Sequence, residues 1–291
     1  MVMKNSLLIV VFSCLCLAVS AQTINWAKSG TNIKSDSIAK KILEPAQYLV
    51  TYSYQFVRDT AYPADKRTGT TILQVGNNYN RFCDFYELRF DSICDETSRG
   101  NMSVVESSPL MLSSLKKALF TESILIDKKA NKAIIQRTAG LKTKRYQYEE
   151  ECPTLKWEML EGDTTIVGYH CNKAKTSLFG RDYIAWYSSE VNMPYGPYKF
   201  NGLPGLIFRV SDTQGHFDFI LNGLEKVDKY TPIYVWSSKD IIKTNRKTVR
   251  QIYKNFCADP VGALTSDGNI KVSDEAKASV SPKPYNPIEL E

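Results

Sequence analysis

The chain has 291 residues, 43% of them hydrophobic, which is enough for one large domain or two small ones with a sizeable core. Its 37 Lys and Arg against 31 Asp and Glu give a net charge of +6, a mixed surface without the concentrated basic footprint of a nucleic-acid binder. Two His leave little material for His-based catalysis or a His-rich metal centre.

In chain order, residues 1–21 read as a secretory signal peptide. Lys4 gives a positive start, Ser6 to Val19 form a short apolar run, and "VSA" before Gln22 is a small-residue cleavage site. The expected destination is the periplasm, the outer membrane surface or the medium. No later stretch is apolar for 18 residues, so no transmembrane span is expected after cleavage. Cys83, Cys94, Cys152, Cys171 and Cys257 then remain. An oxidising compartment permits disulfides, and an odd count leaves at least one thiol outside them.

Residues 22–45 are polar, and a single β-rich domain is expected over 46–264. "QYLVTYSYQFVRD", Gln47 to Asp59, alternates with period two and predicts a strand. "TTILQV", "GNN" and "YNRFC" read as strand, turn, strand. "PLMLSSLKKALF" predicts a short helix over 109–120 with Pro109 at its start. "SILID", "KAIIQRT" and "KRYQYEE" follow at strand spacing. "PTLKWEMLEGDTTIVGYHC" predicts a hairpin that turns at Gly162-Asp163. That turn would set Cys171 opposite Thr154 with Cys152 diagonal to it, making Cys152–Cys171 a candidate disulfide; Cys83 with Cys94 is an equally open pairing. "RDYIAWYSS", "LIFRV" and "GHFDFIL" add strands. "SKDIIKTNRKTVRQIYKNFC" predicts an amphipathic helix over 238–257, and 265–291 a polar, disordered tail. The fold class is therefore mainly β (α+β): a strongly curved antiparallel sheet or half-barrel with two helices.

In "GPYKFNGLPGLIFRVSD", Gly196 to Asp212, Pro204 and Gly205 fit the central positions of a type II turn. Gly202, Leu203, Pro204, Gly205, Leu206 and Ile207 are thus expected to form a structural corner that leads into a buried strand. Together, "GYHCNKA", "FGRDYIAWYS" and "GPYKFNGLPGLI" resemble the GLPGLI family over about Trp157 to Leu221. The resemblance implies export and fold, in a family of secreted proteins of Gram-negative bacteria with no activity to carry over. The strand-rich half is also similar to periplasmic lipoprotein-carrier-like sheets, which wrap an apolar cavity.

No catalytic set stands out. His170 and Cys171 are adjacent, and neighbours on a strand point to opposite faces. Asp84, Asp91 and Asp95 are carboxylates whose mutual distance nothing in the sequence fixes. No metal-ligand motif or cofactor fingerprint appears, and none is expected. Trp157, Tyr169, Trp186, Tyr187 and Phe208 are the candidate ligand-binding cluster. The expected function is a non-enzymatic envelope module that binds an apolar or peptidic ligand or an outer-membrane protein. A secreted hydrolase with a carboxylate site and a purely structural assembly factor are the alternatives.

Overall fold

The computed structural model describes residues 37–139, 144–265 and 272–290, within the compact unit Ser35–Glu291. The segment 1–21 lies outside the described residues, as does most of 22–45. The end of that second segment forms β1 (Lys40–Pro45), which pairs antiparallel with β13 (Pro232–Trp236).

Period-two segments supply the main sheet. They are β2 (Tyr48–Val57), β3 (Lys66–Val75), β4 (Tyr79–Asp84), β5 (Glu122–Asp127), β6 (Lys132–Ala139), β7 (Lys144–Glu151), β8 (Glu158–Ile166), β9 (Tyr169–Leu178), β10 (Arg181–Ser188), β11 (Leu206–Asp212) and β12 (Phe217–Lys226), closed by β14 (Ile241–Lys243). The helices are α1 (Phe85–Ser98), α2 (Val104–Lys117), α3 (Arg246–Ala258), α4 (Pro260–Thr265) and α5 (Asp274–Ala278). The 12-stranded sheet runs β14-β7-β6-β5-β4-β3-β2-β12-β11-β10-β9-β8. Its pairs are antiparallel except β14 with β7. The sheet is curved and does not close into a barrel.

Ladder register decides what each face carries. Tyr54 lies opposite Phe219, Leu73 opposite Phe82, and Ile124 opposite Ile135, so large side chains line up across strands on the inner face. Tyr54 stacks on Phe219 at 4.7 Å, and Phe82 meets Phe120 edge-on at 5.2 Å. Each such burial contributes roughly 1.5–3 kcal/mol. The curve is filled by residues 189–205, the loop leaving β10, which places Tyr198, Phe200 and Leu203 in the core. The loop satisfies its own backbone: Phe200 N–H donates to Pro197 O (3.1 Å), Gly202 N–H to Pro194 O (3.1 Å) and Ile207 N–H to Tyr195 O (2.9 Å). On the outer face, Gln74, Arg81, Ser123 and Gln136 are also buried, beneath α1 and the β1–β13 ribbon.

Several boundaries differ from the sequence reading. The first helical stretch, α1, was not expected at all. The helix expected over 109–120 starts earlier, at Val104, where Ser103 and Glu106 form a reciprocal capping box, and Pro109 lies inside it. The helix expected over 238–257 begins at Arg246, capped by Asn245, because 241–243 pairs with β7 as a strand. The hairpin turns at Val167-Gly168, both with positive φ, and Gly162 sits instead in a bulge of β8. The tail expected to be disordered from 265 is in part a packed strap. Residues 286–290 lie against the body, with Glu289 only 6% exposed.

Candidate functional site

The bend at 202–207 is built for close approach. Gly205 N–H donates to Leu203 O at 2.8 Å, closing a tight turn around Pro204. Gly205 has φ 146°, wider than the type II turn expected from the sequence. A Cβ there would lie 2.6 Å from the Ser188 carbonyl carbon, so only glycine lets the loop pass β10. Leu206, Ile207 and Phe208 are fully buried, and Tyr52 Oη donates to Ile207 O at 2.8 Å. The hexapeptide locks the plug loop to the sheet.

The five candidate ligand-binding residues do not converge on one opening. Trp157 Nε1 donates to Asn201 O at 2.9 Å, which pins the plug loop from outside. Tyr169 packs on Phe208 at 5.0 Å, and Phe208 is wholly buried. Tyr187 is buried, with its hydroxyl 3.5 Å from Met159 Sδ. Trp186 pairs with Arg209 across the ladder and lies under Lys173, whose Nζ is 5.4 Å from its ring centre. The rings are spent on packing.

Cys152 and Cys171 are free, buried thiols, as are Cys83, Cys94 and Cys257. The expected Cys152–Cys171 bond required the Gly162-Asp163 turn. With the turn at Val167-Gly168, Cys171 pairs with Thr164 instead. Burial pushes the Cys152 and Cys171 thiols up to about 11 and those of Cys83 and Cys94 up to about 12. His170 hydrogen-bonds Asp163 at 2.8 Å on the exposed side, away from any thiol.

The carboxylates weighed as acids have structural duties. Asp84 caps α1: Oδ1 accepts from Tyr86 N–H (2.7 Å) and Glu87 N–H (3.3 Å), and Oδ2 accepts from Leu119 and Phe120 N–H, both at 2.9 Å. Asp91 accepts from Tyr234 Oη and Trp236 Nε1, both at 2.6 Å. Asp95 pairs with Lys40 at 2.6 Å.

The site that sequence reading missed lies where the strap crosses the inner face. Lys199, 1% exposed, holds Glu289 at 2.6 Å and Glu150 at 2.5 Å. Tyr198 Oη donates to Glu289 at 2.5 Å, and Arg246 reaches its other oxygen at 2.9 and 3.0 Å. Burial pushes the Glu289 carboxyl up, but Lys199, Arg246 and Tyr198 together outweigh it and hold it below the ordinary range. Glu122, beside Arg137, goes the other way, because burial raises it more than Arg137 lowers it. The cavity between them is about 20 Å³, room for about one water and no substrate.

Beside this node, α3 and the strap border an open cleft of about 860 Å³. Arg181, His216, Arg246, Lys247, Arg250 and Lys254 line it, with no Asp or Glu in its walls among the described residues. Arg181 is anchored by Asp212 at 3.1 Å. The sequence signal was the basic spacing of "RKTVRQIYK" on one helix, legible as a solvated face and not as a cleft wall.

No family model and no curated protein sequence matches the chain. Two solved structures of a protein designated PNGF-II, in space groups P21 and C2, are similar to it with TM-scores of 0.46 and 0.45 at 14% and 16% identity. They cover 73% and 72% of this chain but 34% and 32% of theirs, so the chain spans about a third of their length. A likeness at that level carries no functional argument.

Proposed function

We propose that the chain is an exported, non-enzymatic binding module of the cell envelope, and that its ligand is a peptide segment bearing carboxylates, such as an exposed acidic stretch of an outer-membrane component. The observation that supports this reading is the cleft beside α3, where Lys247, Arg250 and Lys254 add to Arg181 and Arg246, which Asp212 and Glu289 already neutralise, and no carboxylate lines the walls among the described residues. An apolar ligand is less well served, because the aromatic interior is filled by the plug loop and entry would mean displacing Tyr198, Phe200 and Leu203. Exposed Lys247 and Lys254 on one wall favour fast, salt-sensitive capture of an anionic segment.

The test is fluorescence anisotropy with a labelled hexaglutamate peptide against the intact chain and the Lys247→Glu/Lys254→Glu variant. Wild-type binding should weaken at least tenfold in the variant and fall steeply with salt. Equal affinity in the two proteins, or no binding by the wild type at low salt, ends this reading.

A further inference from the structure

The strap is held in an unusual way. In folded chains about two-thirds of hydrogen bonds join backbone to backbone. Here three successive strap carbonyls are each read by a side chain fixed on the body. Pro287 O accepts from Arg181 Nη2 (2.9 Å), Ile288 O from Tyr183 Oη (3.1 Å) and Glu289 O from Arg250 Nη2 (2.9 Å). The Asn286 amide accepts from Arg181 (2.7 Å) and donates to Val57 O (2.7 Å). Leu290 N–H adds one backbone bond, to Phe179 O at 2.8 Å. This is how a receptor reads an extended peptide: its main chain by side-chain donors, its identity by one buried charge.

If the strap leaves, the receptor keeps a partner for each buried cation, although Lys199 and Arg246 must then share one carboxylate and the emptied site carries a net positive charge suited to an incoming Glu. Lys199 retains Glu150 at 2.5 Å, Arg246 has the same carboxylate at 3.9 Å, and Arg181 retains Asp212 at 3.1 Å. Tyr198, which donates to Glu289, sits at φ 58°, a left-handed backbone uncommon for a non-glycine residue and typical of ligand clamps.

We infer that residues 286–290 occupy a peptide-recognition site in cis, and that an extended Asn-Pro-apolar-Glu-apolar segment of another protein takes their place when the strap is displaced. The inference deepens the binding-module reading and rests on it for the external ligand. A tethered strap competes at an effective concentration on the order of millimolar, so the site is closed to dilute ligands until the strap lifts.

The experiment uses the full chain with a protease-recognition sequence inserted between Ala278 and Ser279, both exposed. The probe is a fluorescein-labelled peptide of residues 285–290, Tyr-Asn-Pro-Ile-Glu-Leu, followed by anisotropy before and after cleavage. Cleaved protein should bind at least tenfold more tightly than intact protein, and a probe carrying Glu289→Gln should lose at least tenfold. In the intact chain, Glu289→Gln should loosen the strap and raise probe binding several-fold, and adding Lys199→Met should remove that gain. Equal binding before and after cleavage overturns the inference, as does a cleaved chain that refuses the probe. Loss of far-UV β signal on cleavage also overturns it, because the strap would then be a folding element. Probe binding to cleaved protein alongside failure of hexaglutamate on intact protein would leave this inference standing and remove the cleft reading alone.

Discussion

The two faces of the sheet bury charge under aromatic rings in opposite ways. On the outer face, Arg81 lies 4.0 Å from the Tyr234 ring centre and 5.1 Å from that of Trp236, while both rings donate to Asp91. Every member sits on β4, α1 or β13, so the node opens only if the fold does. On the inner face, Lys199, Arg246 and Tyr198 surround a carboxylate that arrives on a strap. That node can open by peeling one short segment. Similar chemistry thus serves as core on one side and as a latch on the other, and what separates them is how the carboxylate is attached to the sheet.

The largest effect should come from the outer node. Asp91→Leu leaves the buried Tyr234 and Trp236 donors without their acceptor and removes one of the carboxylates acting on buried Arg81, and should cost about 2–6 kcal/mol of global stability, read by denaturant unfolding. A cost under about 1 kcal/mol would mean the node is not part of the core. Lys199→Met should cost less, about 1–3 kcal/mol, because the strap can lift and return Glu289 to water, while Glu150, which also loses Lys199, keeps Arg246 nearby at 3.9 Å. Hydrogen exchange should then show lost protection at the Leu290 amide while β2 and β3 stay protected. Uniform loss across the sheet would erase the distinction between core and latch.

Gly205→Ala probes the plug that supports the latch. The new methyl meets the Ser188 backbone at a positive φ, so about 1–3 kcal/mol is expected in thermal or denaturant melts. Unchanged stability would show that the 202–207 bend can shift, and that the Tyr198 and Lys199 geometry does not depend on it.

Much of the sheet was legible because inner-face residues recur every second position, as in "YLVTYSYQFV" and "FDFIL". The β8–β9 turn was misplaced because a valine at positive φ is disfavoured and "EGD" carries the stronger turn chemistry, although β8 absorbs that glycine as a bulge. Helix α1 was missed because the face it buries mixes Glu87, Asp91 and Thr97 with Ile93 and Cys94, so no continuous apolar stripe marks it. The strap reads as a polar tail for the same reason. Glu289 is 90 residues from Lys199, and no local pattern announces a partner that distant. The aromatic candidates were identified by type, which says nothing about whether packing leaves a ring free.

The smallest effect expected is a pH dependence confined to the latch. Burial and the surrounding cations oppose each other at Glu289, leaving its carboxyl depressed by the difference. A depressed carboxyl contributes stability in full above its unfolded value, about 4.3, and loses it as pH falls through the lower folded value. Glu122, raised by burial, has the reverse sign: its ionisation opposes folding above its folded value, and acid relieves that cost. Acidification below about pH 4.3 should therefore loosen the strap even as Glu122 favours the closed sheet. The measurement is Leu290 amide exchange against pH, corrected for intrinsic rates. Protection should fall on the acid side in the wild type and stay flat with Glu289→Gln. An acid-side fall of equal size in both proteins would assign the titration elsewhere and remove Glu289 as the group that closes the latch.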